Sequence, residues 1–318
     1  MKILVTGAAG FIGSHLCERL VNDHQVVGLD NFCDFYDIKI KRKNVAKLSK
    51  NENFQLIKAD IRKLDELEDI FALHDFDLVI HLAAMAGVRP SIENPVLYTE
   101  VNINGTVNLL EECRKHNVKK FIFASSSSVY GNNKKVPFSE KDSVDHPISP
   151  YASTKKAGEL ICHSYHHLHQ ISLVCLRFFT VYGPRQRPDL AIHKFSRMML
   201  SGDEIPVFGD GSTRRDYTYI EDILDGILKT INYVMSSTVF DVFNLGESQT
   251  ISLSEMIKTI ENELQIKAEK KILPLQPGDV DQTFADISKS RKILGYDPKT
   301  NFRTGIAKFI DWLKENQD

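Results

Sequence analysis

The chain has 318 residues, 42% hydrophobic and 26% charged, the composition of a globular protein long enough to bury a substantial core. The 40 Lys and Arg against 42 Asp and Glu leave a formal charge of −2, which argues against holding nucleic acid or a membrane surface by bulk charge. The cysteines (Cys17, Cys33, Cys113, Cys162 and Cys175) are widely spaced with no C-x-x-C. That argues against a disulfide scaffold or a structural zinc site and fits a reducing, cytoplasmic setting.

The first apolar strand begins at Lys2, so neither a leader nor a membrane span is expected. Short apolar runs then recur at 3–5, 26–29, 54–57, 78–80, 121–124 and 173–176. Such near-continuous apolar strands are buried on both faces, as in a parallel sheet. Helix-length segments separate them at about 11–22, 36–49, 64–73, 95–116 and 151–169. This is the βαβ rhythm of an α/β, doubly wound Rossmann sheet. After Arg177 the rhythm breaks and Gly and Pro become frequent. A helix near 221–235, a strand at 240–245, a helix near 252–264 and a strand near 270–273 follow. The last element is an amphipathic helix near 303–316, with Ile306, Phe309, Ile310 and Leu313 on one face. The expected division is 1–177 plus about 213–246 for dinucleotide binding, and about 178–212 plus 247–318 for a smaller substrate-binding lobe.

Three motifs carry chemistry. Gly7, Gly10 and Gly13 lie in a G-x-x-G-x-x-G turn between strand one and its helix, where backbone can approach a pyrophosphate at a helix N-terminus. Asp30 ends strand two, where an acid meets ribose hydroxyls and repels a 2′-phosphate, favouring NAD over NADP. Tyr151 and Lys155 stand four apart on one helix face. A free tyrosine titrates near ~10 and is a poor base at neutral pH, but a neighbouring ammonium favours its phenolate. Ser125, Ser126, Ser127 and Ser128 end strand five, the edge at which open α/β sheets bind ligands.

These motifs resemble the extended short-chain dehydrogenases/reductases of the nucleotide-sugar epimerase/dehydratase family. Asp60-Ile61-Arg62, His81-Leu82-Ala83-Ala84, Asn102-Ile103-Asn104-Gly105, Gly209-Asp210-Gly211 and Arg215-Asp216-Tyr217 add to the likeness, which runs over nearly the whole chain. Within the family, Arg89-Pro90-Ser91, Arg177 through Pro184, Arg187-Pro188-Asp189 and Gln276 through Val280 resemble the UDP-glucuronate 4-epimerases. Family dehydratases carry an Asp-Glu pair, and decarboxylases a Glu, before Val-Tyr-Gly. Here Ser127 and Ser128 precede Val129.

The resemblance implies a catalytic set of Ser126, Tyr151 and Lys155. It implies NAD contacts from Gly7, Gly10, Phe11, Ile12, Gly13, Asp30, Asn31, Asp60, Ile61, Leu82, Ala83, Ala84, Asn102, Ser125, Tyr151, Lys155 and Phe178. UDP-sugar contacts are expected from Arg89, Ser126, Ser127, Ser128, Thr180, Arg185, Arg187, Arg215, Gln276 and Asp279. Thr180 and Arg187 are read as holding the sugar carboxylate, with Arg185 as the substitute. The implied reaction is C4 epimerisation of UDP-glucuronate through a 4-keto sugar. The alternatives are a neutral UDP-hexose or UDP-N-acetylglucosamine epimerase and a decarboxylase. An idle NAD-binding regulator is opposed by the intact catalytic set. No metal, nucleic-acid or membrane partner is expected. Glu159, His163 and His167, spaced four apart, are read as a solvated or dimer-facing helix surface. Lys39, Lys41, Arg42 and Lys43 are read as a solvated face, with an adenosine contact as the minor reading. A homodimer is expected through the helices near 95–116 and 151–169.

Overall fold

The computed structural model describes residues 1–274 and 280–316. In chain order the first half runs β1 (Lys2–Thr6), α1 (Phe11–Leu20), β2 (Gln25–Asp30), α2 (Ile38–Val45), β3 (Phe54–Lys58), α3 (Leu64–Leu73) and β4 (Leu78–His81). Then come α4 (Val88–Glu93), α5 (Pro95–Thr99), a π turn at Glu100–Asn104, α6 (Gly105–Lys115), β5 (Lys120–Ser126), α7 (Pro150–His169) and β6 (Ser172–Phe178). The remainder is β7 (Thr180–Tyr182), α8 (Ala191–Ser201), β8 (Ile205–Phe208), β9 (Arg214–Arg215), β10 (Tyr217–Tyr219), α9 (Ile220–Ser236) and β11 (Phe240–Leu245). It ends with β12 (Ile251–Ser252), α10 (Leu253–Leu264), β13 (Lys270–Leu273), α11 (Ser288–Leu294) and α12 (Phe302–Glu315).

Seven strands form one sheet in the order β11-β6-β5-β4-β1-β2-β3. β1 pairs parallel with both β2 and β4, β2 with β3, and β4 with β5. The order reverses at β1, so the connections leaving β1 and β4 run opposite ways from the carboxyl edge, the place where such sheets bind ligands. The apolar strand residues that gave the sheet away, among them Leu4, Val27, Val79, Phe121 and Leu173, are buried in its core. The expected helix over 95–116 is present as one continuous helical run of α5, the π turn and α6, with helical backbone at both junctions. Pro95 starts α5, with Asn94 accepting a bond from the Leu97 amide as N-cap. Such caps are invisible to hydrophobic periodicity alone.

The chain divides into two compact units: residues 1–131, 143–177 and 226–243, and residues 132–142, 178–225 and 244–318. This differs from the expected division. Residues 132–142 join the second unit because Phe138 is stitched into it. Its amide donates to Phe284 O at 2.7 Å, and its carbonyl accepts from the Asp286 amide at 2.9 Å and Asn244 Nδ2 at 2.8 Å. Residues 213–225 join it as well, because β10 pairs parallel with β7 and Asp222 accepts the Lys299 and Thr300 amides.

In the first unit α7 approaches β5 closely. A Cβ on Gly158 would lie 2.4 Å from Phe123 Cζ and 2.9 Å from its Cε1. Alanine would gain ~1 kcal/mol of helix propensity there. Crowding a closed core costs ~1–3 kcal/mol, so crowding outweighs propensity. Gly158→Ala is expected to lower the urea midpoint by an amount equivalent to ~1 kcal/mol or more. An unchanged or raised midpoint would refute this reading of the contact.

Candidate active site

The glycine turn closes on itself. Gly7 adopts φ +72°, and a Cβ on Gly13 would lie 2.1 Å from Gly7 O. No side chain fits at Gly13, so the turn lies tight against the first turn of α1. Asp30 is buried beside it. Its carboxylate accepts the Ala9 amide at 3.1 Å and the Phe32 amide at 2.8 Å. A cradle of bare amides beside a buried acid fits the pyrophosphate and ribose of a dinucleotide such as NAD.

Lys41 corrects the reading of the basic run as a solvated face. It is buried, with its ammonium 3.8 Å from Asp30, 3.1 Å from Cys33 Sγ and 5.1 Å from the Tyr36 ring centre. No sequence signal separates it from its exposed neighbours. Asp60 is fixed by Arg62, whose Nε and Nη2 donate at 3.0 and 2.7 Å, and by Asn31 Nδ2 at 3.0 Å. The Arg62 bonds hold its carboxyl well below the usual carboxylate range. Ile61 is buried. Phe11 and Ile12 open α1, and Leu82, Ala83 and Ala84 follow β4, half-buried.

A chain of hydrogen bonds runs from the turn to α7. The Ala83 amide donates to Thr6 Oγ1 at 3.2 Å, and Thr6 Oγ1 lies 2.7 Å from His81 Nδ1. His81 Nε2 lies 3.0 Å from Thr106 Oγ1, which itself donates to Asn102 O at 2.6 Å. Thr106 must therefore accept from His81, which sets the Nε2–H tautomer and makes Nδ1 the acceptor of the Thr6 hydroxyl. Burial pushes His81 down to about 3, so it stays neutral. The Asn102 amide is committed: its oxygen accepts from the Met85 amide, and its nitrogen donates to Met85 O and to Thr154 Oγ1. Thr154 in turn donates to Tyr151 O at 2.8 Å.

Tyr151 and Lys155 lie in the first turns of α7, whose N-terminus is capped by the Ser149 hydroxyl accepting the Ala152 amide. Lys155 is buried, and its Nζ donates to Ala124 O at 2.8 Å with the Phe123 ring centre 5.1 Å away. Burial pushes it down to about 8, so at neutral pH it keeps most of its positive charge. Ser126 ends β5 and caps the next turn: its Oγ accepts the Ser128 amide at 3.1 Å and bonds Ser128 Oγ at 3.0 Å. Ser125, expected at the cofactor, turns its hydroxyl to Glu159 at 2.6 Å. Ser127 is half-buried, and Arg89 is exposed on α4. The structure thus brings together the glycine turn, Asp30, Ser126 and the Tyr151–Lys155 face in one unit.

The second unit holds Phe178, Thr180, Arg185, Arg187 and Arg215. Arg187 is bidentate on Asp189, at 3.0 and 2.7 Å, so that acid already occupies the Nε–Nη2 edge of its guanidinium. Arg185 sits at φ +63°, and Arg215 Nη1 donates to Arg214 O at 2.8 Å. Gln276 and Asp279 lie outside the described residues. Asp216 is a residue whose role sequence reasoning missed, although its motif was in view. Fully buried, it accepts the amides of Glu247, Ser248 and Ala285 at 2.8, 3.1 and 3.0 Å. It binds two backbone segments, at 247–248 and 285, to its own.

A family model described as GDP-mannose 4,6 dehydratase matches residues 4–309. The chain belongs to this family, the nucleotide-sugar epimerases and dehydratases of the extended short-chain dehydrogenases/reductases. It is 44% identical to UDP-glucuronate 4-epimerase 4 of Arabidopsis thaliana over 98% of this chain and 75% of the plant one. It is 41% identical to UDP-glucuronate 4-epimerase of Thermodesulfobacterium geofontis, over 98% of this chain and 96% of that one. The crystal structure of UDP-glucuronic acid 4-epimerase from Bacillus cereus, in complex with UDP-glucuronic acid and NAD, matches with a TM-score of 0.93. The identity there is 40%, over 99% of this chain and all of that one.

Burial pushes the Asp216 carboxyl up to about 7. Burial, with Asp222, Asp216 and Asp297 nearby, pushes Glu247 up to about 8. Both folded-state values lie above the ordinary carboxylate range near ~4, so the folded protein binds these protons more tightly than the unfolded chain. Their contribution is greatest at low pH and is lost as pH rises towards about 8. The melting temperature is expected to fall between about pH 5.5 and about pH 8.5. Glu247→Gln should flatten that fall. An equal fall in the variant would show that Glu247 is not its source.

Proposed function

We propose that this chain is an NAD-dependent 4-epimerase that interconverts UDP-glucuronate and UDP-galacturonate. The observation that carries this reading is the tie between Lys155 and Ala124, which places a buried ammonium on the Tyr151 face of α7 and at the end of the strand bearing Ser126. The reading is supported by similarity to UDP-glucuronate 4-epimerases along the whole chain.

When bound, NAD supplies the acceptor and later the donor of the C4 hydride. Tyr151 takes the proton of the 4-hydroxyl as C4 is oxidised, and returns it as the 4-ketone is reduced on its other face. Lys155 favours the phenolate by its charge. Ser126 offers a hydroxyl to the reacting oxygen. The Gly7–Gly13 turn holds the pyrophosphate, and Asp30 the adenosine ribose. Serine at 127 and 128 provides no acid to expel water, which disfavours a dehydratase. We place the enzyme in the reducing cytoplasm, on the free thiols of its five cysteines and on a substrate class made inside cells.

Incubation with UDP-glucuronate, with products separated as 4-epimer, UDP-pentose and unreacted sugar, tests the reading. Tyr151→Phe should stay folded and keep NAD while kcat falls by ~10²–10⁴. Lys155→Met should lower both kcat and NAD affinity. A Tyr151→Phe variant with near-normal turnover would overturn the mechanism.

We also propose a homodimer through α5–α6 and α7. Leu160 and Leu168, two turns apart on α7, are 57% and 68% exposed, and Val96 on α5 is 66% exposed. Ile161, next to Leu160 on α7, packs against the core of the first unit. Sedimentation at micromolar concentration should give a dimer mass, and Leu160→Glu with Leu168→Glu a monomer. A wild-type monomer would reject the pairing.

A further inference from the structure

The Tyr151–Lys155 face of α7 runs one turn further to Glu159, a group the proposed mechanism does not use. Glu159 is only 3% exposed. Burying a carboxylate costs several kcal/mol unless partners compensate, so its partners indicate its purpose. Oε1 accepts from Ser125 Oγ at 2.6 Å and from Arg177 Nε at 2.8 Å, and Oε2 accepts from Arg177 Nη2 at 2.8 Å. Arg177, at the end of β6, is equally buried. Its Nη1 donates to Tyr130 Oη at 2.9 Å, and its guanidinium carbon lies 4.8 Å from that ring centre. Burial alone would raise the Glu159 carboxyl, but the Arg177 bonds and charge hold it below its usual value. Both partners are therefore ionised at neutral pH.

The pair's reach matters more than its charge. Two consecutive residues of β5 are tied to two consecutive turns of α7: Ala124 O to Lys155, and Ser125 Oγ to Glu159. Ser126 is the next residue. Tyr130, at the end of the turn that Ser126 caps, is held by the same Arg177. The turn is thus fixed at both ends. A packed apolar pair of similar volume would fill this space and is often at least as stable. Stability alone therefore does not account for the arrangement, whereas registration of β5 against α7 does.

We propose that the buried Glu159–Arg177 pair is a positioning device that sets the Ser126 hydroxyl against the Tyr151–Lys155 pair. The proposal rests on the epimerase reading for its rate effects and on geometry alone for its structural effect. Three variants test it. Ser125→Ala removes one hydroxyl and leaves the ion pair intact, Glu159→Gln removes the charge, and Arg177→Lys keeps the charge but loses the fork. A displacement near 1 Å at a reacting group costs on the order of 10²-fold in rate. Glu159→Gln is expected to lower kcat by about that factor, and Ser125→Ala and Arg177→Lys by roughly 5–20-fold. KM for the UDP-sugar should stay within about twofold, because the pair's bonds go to each other, Ser125 and Tyr130.

Crystal structures of wild type, Ser125→Ala and Glu159→Gln, without sugar, give the second reading. Ser126 Oγ should move by ~0.5 Å or more relative to the Tyr151 ring in the variants. Folded variants with kcat within about twofold of wild type, or with Ser126 unmoved, would overturn the proposal. Loss expressed in KM with kcat retained would also overturn it. Should Glu159→Gln fail to fold, Ser125→Ala decides by both readings. If the wild type epimerises no UDP-sugar, the epimerase reading falls, and the displacement of Ser126 still decides the positioning claim.

Discussion

The first unit depends on the seating of α7 against β5. Lys155 must lie deep enough to bond Ala124 O, yet keep its charge in a place that penalises charge. The two demands pull in opposite directions. Burial drives the ammonium down to about 8, about as far as it can go while staying mainly protonated at neutral pH. A carbonyl acceptor at 2.8 Å and the face of Phe123 offset part of the lost hydration. Gly158 makes this depth sterically possible, one turn beyond the lysine and against the same phenyl ring. The chemistry of the site is thus set by how near a helix can come to a strand.

That seating is supported from the other side by neutral groups. The relay Thr6–His81–Thr106–Asn102–Thr154 contains no charge, because burial keeps His81 unprotonated. Each hydroxyl and the imidazole uses its donor and an acceptor, so the direction of the chain is fixed rather than fluctuating. The second unit is joined differently. There a single buried carboxylate, Asp216, gathers three backbone amides. Burial pushes its carboxyl up to about 7, which makes it sensitive to pH in a way that the relay is not.

The sheet was readable because its strands are apolar on both faces, and β4 and β11 fell close to where the apolar runs placed them. The dinucleotide turn and the Tyr151–Lys155 pair were readable because glycine spacing and helical spacing are one-dimensional records of geometry. The π turn at Glu100–Asn104 was not, since it is set by bonds between Asn102, Met85 and Thr154, far apart in sequence. Lys41 and Glu159 escaped for a related reason. A lysine in a basic run and a glutamate in a histidine-rich helix look solvated, and only the fold brings Asp30 to one and Arg177 to the other. The boundary between units was displaced because Phe138 is recruited by strand-like bonds to Ala285's neighbours, a pairing without a local signal.

The state of Ser126 bears on how an epimerase of a uronic acid would avoid side reaction. Its Oγ already accepts the Ser128 amide, so the proton it carries is the one directed at Ser128 Oγ. To serve a sugar oxygen, that proton must swing away from Ser128 Oγ, which only accepts in this bond and does not spend its own proton on it. Oxidation at C4 makes the substrate a β-keto acid, which loses carbon dioxide when its carboxylate bond aligns with the carbonyl π system. A serine hydroxyl that donates can hold that carboxylate, and hydrogen bonds to a charged acceptor are the stronger kind. An acid at 127 or 128, as in the dehydratases, would repel that carboxylate instead. On this argument the serine run selects against both competing reactions: it lacks the acid that expels water, and it supplies neutral donors to restrain the carboxylate.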